Sequence, residues 1–302
     1  MLLLRPPAFR PGAARRGASL LLGTHVSTAG GVDKAIDRAL SIGCTAMQIF
    51  VKNNMQWFAV APFAEKELRA WHEHAERSRL GFAFGHSGYM INLAATNPDF
   101  LERSRRALRE ELIRADQLKL PFLVLHPGAH LGAGEEAGLR KAAASLDAVL
   151  AEIPRAQTRV ALETTAGQGS SLGGKFEHLA FIREQVREPE RLSVCIDTAH
   201  LFAAGYDIST AAGAKQVFAE FDRVVGREAL VAIHLNDSKT GLGSRVDRHE
   251  HIGQGRIGLE AFRYIMSAPR FASIPKVLET PKGKEMLEDV ENLKTLRALM
   301  PR

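Results

Sequence analysis

The sequence predicts one closed (β/α)8 barrel, and three observations carry that expectation. Six metal-capable side chains, His86, His126, Glu163, Asp197, His234 and Glu279, each end a short apolar run and recur about every forty residues, the repeat of one strand plus one helix in such a barrel. Eight segments have the length and the β-branched or aromatic enrichment of strands. Stretches with apolar residues three and four apart lie between them. At 302 residues, 45% hydrophobic and 25% charged, the chain suits one barrel domain of about 250 residues plus an extension.

In order, the expected strands are residues 20–25, 46–51, 82–86, 122–126, 159–163, 192–197, 230–235 and 276–279. Helical patterns span 65–79, 99–118, 135–153, 175–186 and 210–225. Alternating β and α elements imply a parallel sheet. A doubly wound open sheet is the alternative, but polar groups at six successive strand ends favour closure. Polar, glycine-rich sequence gathers after the strands, at 128–134, 164–174 and especially 236–258, and a connection that long usually has a function. No linker splits the chain, so the domain runs 19–302, preceded by an Arg-rich tail, 1–18, read as disordered, mis-started or a loose transit peptide.

The formal charge is +6, four of it from Arg5, Arg10, Arg15 and Arg16 ahead of the first acidic residue, Asp33. The barrel proper is thus mildly basic, which permits a polyanionic partner without demanding one. Cys44 and Cys195 sit in apolar surroundings and read as buried free thiols of a reducing compartment. No run approaches the roughly 18 apolar residues of a membrane span. A soluble cytoplasmic protein is expected, with no membrane partner.

Chemistry concentrates at the strand ends. HPGAH ends a strand at His126; CIDTAH closes strand six at Asp197, with His200 three residues on. Asp197 could simply cap a helix, a common role for Asp, but that would leave His200 unexplained. In the long loop, DRH sets Asp247 and His249 two apart, so that an extended segment points both the same way. The total is five imidazoles (His86, His126, His200, His234, His249) and four carboxylates (Glu163, Asp197, Asp247, Glu279), too many ligands for one ion. Four carboxylates in one cavity repel unless cations neutralise them. A polynuclear metal site answers this, and nitrogen–oxygen donor sets suit zinc. Paired metals stabilise the attacking and leaving oxygens of a phosphoryl displacement, so phosphoester hydrolysis is the expected chemistry.

These blocks resemble the endonuclease IV type of apurinic/apyrimidinic endonuclease. The likeness runs through GTHVSTAGG (23–31), HSGYMIN (86–92), HPGAH (126–130), LETTAGQGSSLG (162–173), CIDTAHLFAAGYD (195–207), HLNDSK (234–239), GSRVDRHEHIG (243–253) and LETP (278–281). It implies a trinuclear zinc site. By resemblance His86 and His126 bind the first ion and Glu163 bridges to a second, which Asp197, His234 and Glu279 also hold; His200, Asp247 and His249 bind the third. Glu163 and Glu279 would be catalytic, orienting or deprotonating water. The implied activity is cleavage of duplex DNA 5′ to abasic sites, leaving a 3′-hydroxyl and a 5′-deoxyribose phosphate, with trimming of blocked 3′ ends, by a monomer.

Substrate contacts should come from loops. By resemblance Tyr89 and Met55 sit where the family inserts side chains into a bent duplex, and Met55 stands where several members carry Arg. Lys52, Arg245 and Arg248 are candidate phosphate contacts, with solvated surface as the plain alternative. His25 and His130 are expected to orient ligands, and His72, His74 and His178 to be exposed on helices. Two rivals remain. A sugar isomerase on the same barrel would use Glu163, Asp197, His234 and Glu279 but has no need of the other five ligands, and a noncatalytic damage-binding protein would need none of the nine.

Overall fold

A computed structural model describes residues 20–301; the 1–18 tail lies outside the described residues. The strands are β1 (Leu22–Val26), β2 (Ala46–Phe50), β3 (Phe82–His86), β4 (Phe122–Leu125), β5 (Arg159–Glu163), β6 (Leu192–Asp197), β7 (Leu230–His234), a two-residue pair β8 (Asp237–Ser238) and β9 (His249–Glu250), and β10 (Lys276–Leu278). All but β8 and β9 close into a barrel of order β1-β10-β7-β6-β5-β4-β3-β2, with every pairing parallel. The expected fold is present, and strand ends move by at most two residues. β4 stops at Leu125 and β10 at Leu278, leaving His126 and Glu279 as the first residues of their loops.

The helices α1 (Lys34–Ser41), α2 (Glu65–Arg77), α3 (Pro98–Gln117), α4 (Glu135–Glu152), α5 (Phe176–Gln185), α6 (Thr198–Ala204), α7 (Ala211–Val224), α8 (Leu259–Ser267) and α9 (Leu287–Ala298) follow the strands. Each buries a stripe on the barrel's outside. In α3 the stripe is Ala107, Leu108, Glu111, Leu112 and Ala115, spaced three and four apart. Its start is set by Pro98 at the first turn and by Asn97, whose side chain accepts the Phe100 amide at 2.9 Å, a cap that offsets one otherwise unpaired donor.

Side-chain alternation along the strands builds the interior. Phe84, Phe122, Val124, Ala161, Cys195, Ala232 and Val277 form an enclosed apolar cluster. The period of two residues per strand repeat then puts His86, His126, Glu163, Asp197, His234 and Glu279 one inward step above Phe84, Val124, Ala161, Cys195, Ala232 and Val277. The large rings of Phe84 and Phe122, 4.9 Å apart, fill space that Ala161 and Ala232 leave open. Each buried ring contributes roughly 1.5–3 kcal/mol of transfer free energy. Both cysteines are buried and free. Among the described residues no helix is long and apolar enough to cross a membrane.

His178 departs from expectation. Its position on α5 reads as solvent-facing, yet only 4% of it is exposed, because the loop before α5 folds over it: its Nδ1 accepts the Gly173 amide at 3.0 Å. His72 and His74 are half-buried rather than free, near the Gln117 carbonyl and Asp37 respectively.

Candidate metal centre

The barrel mouth brings all nine expected ligands together. Glu163 is the hub: fully buried, its Oε2 lies 3.2 Å from His86 Nε2 and 3.0 Å from His126 Nε2, and its Oε1 lies 2.9 Å from His234 Nδ1. Glu279 Oε2 is 3.2 Å and Asp197 Oδ2 3.8 Å from that same His234 nitrogen. On the far side Asp247 sits between two rings, 3.2 Å from His200 Nε2 and 3.3 Å from His249 Nε2. Three groups have ligand atoms within 4.8 Å of one another: His86, His126 and Glu163; Glu163, Asp197, His234 and Glu279; and Asp197, His200 and His249. The third differs from the expected set in bringing Asp197 to His200 and His249, with Asp247 closing the same corner from the loop.

Local structure explains each placement. Asp197 ends β6 and is the N-cap of α6: Oδ1 accepts the His200 amide at 2.8 Å, while Oδ2 accepts from Asn236 Nδ2 at 2.6 Å and faces the rings. Capping thus occupies Oδ1 and leaves Oδ2 turned toward the rings, so the helix-capping role does not compete with the expected ligand role. Starting α6 there turns His200 back into the mouth. Asp247 and His249 arrive through the β8–β9 pair, and the loop that carries them is tied by Asp237. That carboxylate accepts four backbone amides, from Ser238, Gly253, Gly255 and Ile257, at 2.8 to 3.1 Å.

Four of the five candidate ligand rings share one feature. One nitrogen of each is held by a carbonyl or amide: His86 Nδ1 by the Ser87 carbonyl at 2.7 Å, His200 Nδ1 by the Thr164 carbonyl at 2.7 Å, His249 Nδ1 by the Glu279 carbonyl at 3.1 Å and His234 Nε2 by Gln48 Oε1 at 2.8 Å. The remaining nitrogen points at carboxylate. Outer partners that fix a ring so that one nitrogen faces inward are what metal-binding histidines carry. In this protein burial opposes charge on His200 and His234, but Asp197 beside the first and Cys195, Glu279 and Glu163 beside the second outweigh it, and both are raised well above the ordinary histidine range. Burial likewise opposes ionisation of Glu163, yet His234 and His126 hold it well below the carboxylate range. A cluster this dependent on positive charge fits divalent cations as counter-charge.

Comparison with known proteins agrees with this geometry. The family described as xylose isomerase-like TIM barrel matches residues 36–298. A probable endonuclease 4 of Chloroflexus aggregans is 51% identical over 278 residues, covering 92% of this chain and 97% of that one. The crystal structure of endonuclease IV from Thermus thermophilus superposes with a TM-score of 0.81 at 36% identity, covering 92% and 98% of the two chains. The chain belongs to the endonuclease IV family. It is thus a phosphodiester hydrolase, and metal dependence follows from the family together with the three ligand groups. A D-tagatose 3-epimerase-like protein also superposes, with a TM-score of 0.68 at 17% identity, which is a likeness of fold alone.

Around this endonuclease IV mouth, a cleft of about 610 Å³ is lined by Trp57, Tyr89, His126, Gln168, His200 and Asp247 among others. Tyr89 and Met55 project from neighbouring loops, 62% and 73% exposed, and Arg245 and Arg248 lie exposed on the 240–248 loop. Lys52 does not reach the surface. Its ammonium is buried, 2.9 Å from Glu111 Oε1 and donating to the Gln56 carbonyl at 2.5 Å. The other Glu111 oxygen accepts the Gly88 amide at 2.9 Å. Lys52 is thereby an anchor for the loops bearing Met55 and Tyr89 and not a free phosphate contact. His130 stays outside the cluster, accepting the Gly134 amide at 3.2 Å, whereas His25 lies 3.5 Å from Glu279 Oε1.

Sequence reasoning missed Gln48, Glu111, Asn236 and Asp237. The available signal was a polar residue at an inward strand position for Gln48, and an acidic residue on an apolar helix stripe for Glu111.

Proposed function

We propose that this chain incises duplex DNA 5′ to abasic sites, leaving a 3′-hydroxyl and a 5′-deoxyribose phosphate, and trims blocked 3′ ends, with three zinc ions per chain. The observation that carries the reading is the inward nitrogen left on each tethered ring, facing carboxylates that pair with no Lys or Arg among the described residues. In this reading His86, His126 and Glu163 hold one ion, and Glu163, Asp197, His234 and Glu279 a second. His200, His249 and Asp247 hold the third, with Asp197 alongside. Bound metal neutralises phosphate charge and acidifies water at neutral pH.

The protein's own groups supply the rest. Glu163 is completely enclosed, while 14% of the Glu279 side chain is exposed; Glu279 is therefore the carboxylate better placed to take a proton from entering water, and Glu163 holds the rings in register. Tyr89, which lines the cleft, and the exposed Met55 are proposed as the wedge that prises bases apart. Arg245 and Arg248 are proposed as phosphate contacts. The reading includes action as a monomer in the bacterial cytoplasm, in keeping with the bacterial origin of the relatives.

The rival sugar-isomerase reading has the fold likeness behind it but gives no work to His200, Asp247 and His249. The test is a duplex with one abasic site beside an intact duplex, with and without a strong zinc chelator. One nick 5′ to the lesion, abolished by chelation and restored by zinc, is expected. An uncut abasic duplex after full zinc reconstitution would overturn the reading, and retention of the duplex without a nick would point to a binding protein.

A further inference from the structure

Gln48 is the lone polar residue of β2, in the sequence AMQIF, and no part of it reaches solvent. Three groups converge on its amide. Oε1 is 2.8 Å from His234 Nε2; Nε2 is 2.5 Å from Glu279 Oε1 and 2.8 Å from His25 Nδ1. The orientation of the amide is forced, because a carboxylate can only accept hydrogen bonds. Turned over, the amide would set its oxygen against that of Glu279 at 2.5 Å. With the NH2 directed at Glu279 and His25, the oxygen faces His234, and only a hydrogen on His234 Nε2 can satisfy it.

The other nitrogen of His234, Nδ1, then faces Glu163 and Glu279. We propose that Gln48 is a positioning residue: through one amide it selects Nδ1 as the metal-facing nitrogen of His234 and sets the carboxylate of Glu279 beside it. The proposal rests on the metal-site reading above. The contact also spans the barrel. β2 is bonded in the sheet to β1 and β3 and not to β7 or β10; the β7–β10 ladder sets His234 opposite Val277, and Gln48 adds a side-chain tie from β2 to both His234 and Glu279.

The experiment uses the zinc-loaded full chain, Gln48→Leu and Gln48→Glu, labelled with 15N-histidine. It reads zinc per chain, the rate of zinc loss to a chelator, and the exchangeable imidazole N–H signals, with His234 assigned by the signal lost in His234→Gln. In the unsubstituted chain a slowly exchanging Nε2–H on His234 is expected. Gln48→Leu should lose that protection and hold one equivalent of zinc about tenfold to a hundredfold less tightly, the usual cost of removing a ligand's outer partner. Gln48→Glu keeps an acceptor for His234 and removes the donor to Glu279, so the protected N–H should persist; it also stands in if Gln48→Leu fails to fold. Retention of zinc and of the protected N–H at unchanged rates in Gln48→Leu would overturn the proposal while leaving the metal reading intact. A protected Nδ1–H in its place, or loss of the signal in Gln48→Glu, would also overturn it. Failure of the unsubstituted chain to hold zinc would bring down the metal reading and the proposal together.

Discussion

The floor of the barrel and its mouth are built by the same strands, two residues apart, and they are opposite in kind. Below lie Phe84, Val124, Ala161, Cys195, Ala232 and Val277; directly above lie His86, His126, Glu163, Asp197, His234 and Glu279. The floor needs no partner outside itself: rings fill the space beside alanines, and burial pushes the Cys195 thiol up to about 11. The mouth cannot be self-sufficient. The floor bars water from beneath, so every carboxylate charge must be met sideways by an imidazole or from within by a cation. The comparison teaches that the apolar layer is what makes the polar layer demand metal: a low-dielectric base raises the cost of each unpaired charge above it.

The largest effect should come from the mouth. Glu279→Gln preserves shape and drops one charge, and turnover on an abasic duplex should fall about 10³-fold or more with an unchanged circular dichroism spectrum. Near-normal nicking would remove Glu279 from the chemistry. The floor is broken by Phe122→Ala, for which a denaturant titration should show about 3–5 kcal/mol less stability, while a metal assay returns the same number of ions per chain. If metal were lost in proportion to stability, the two layers would not be separable.

A third change probes charge at the foot of the barrel. The Lys276 ammonium is buried against the Phe271 and Ile274 carbonyls, to which it donates, and burial pushes it down to about 8. Unfolded lysine titrates at about 10.4, so between those values the unfolded chain holds more protons and stability rises with pH. Below about 8 both states are charged and the full cost of burial persists. Relative to Lys276→Met, the unsubstituted protein should gain on the order of 1–3 kcal/mol across that window, read from urea midpoints at several pH values. A parallel pH course for the two proteins would mean that the ammonium is as well solvated folded as unfolded. The smallest effect belongs to the rim. Met55→Arg should tighten binding to an abasic duplex several-fold and steepen its salt dependence by about one unit of slope. An unaltered slope would place residue 55 away from the phosphates.

Much of this was legible in the sequence, and the reason is parity. Six of the nine candidate ligands sit at the end of a short apolar strand or one residue beyond it, so the register that buries Phe84 or Ala232 necessarily presents His86 or His234 at the mouth. What stayed hidden depends on contacts between distant segments. Lys52 reads as a surface cation because nothing near it in sequence is acidic; its partner Glu111 lies on α3, far along the chain. The visible trace of Glu111 was its place among Leu108, Leu112 and Ala115 on one stripe. His178 reads as exposed because helix periodicity says nothing about a loop that folds over the helix. Asp197 shows the opposite case: its capping role is present, and it uses one oxygen only, so it leaves the second free for the ligand role expected of it.

The knot at Asp237 settles where this chain can grow. Residues 236–258 form a long excursion, yet its return limb is fastened at Gly253, Gly255 and Ile257, and a methyl group on Gly255 would meet Asp237 Oδ1 at 2.4 Å. The outer turn at 241–242, by contrast, is exposed and free of such ties to the carboxylate. Extra sequence, a tag or a fluorophore can be spliced into that turn without moving Asp247 or His249, whereas a single residue added between 253 and 257 would slip the knot.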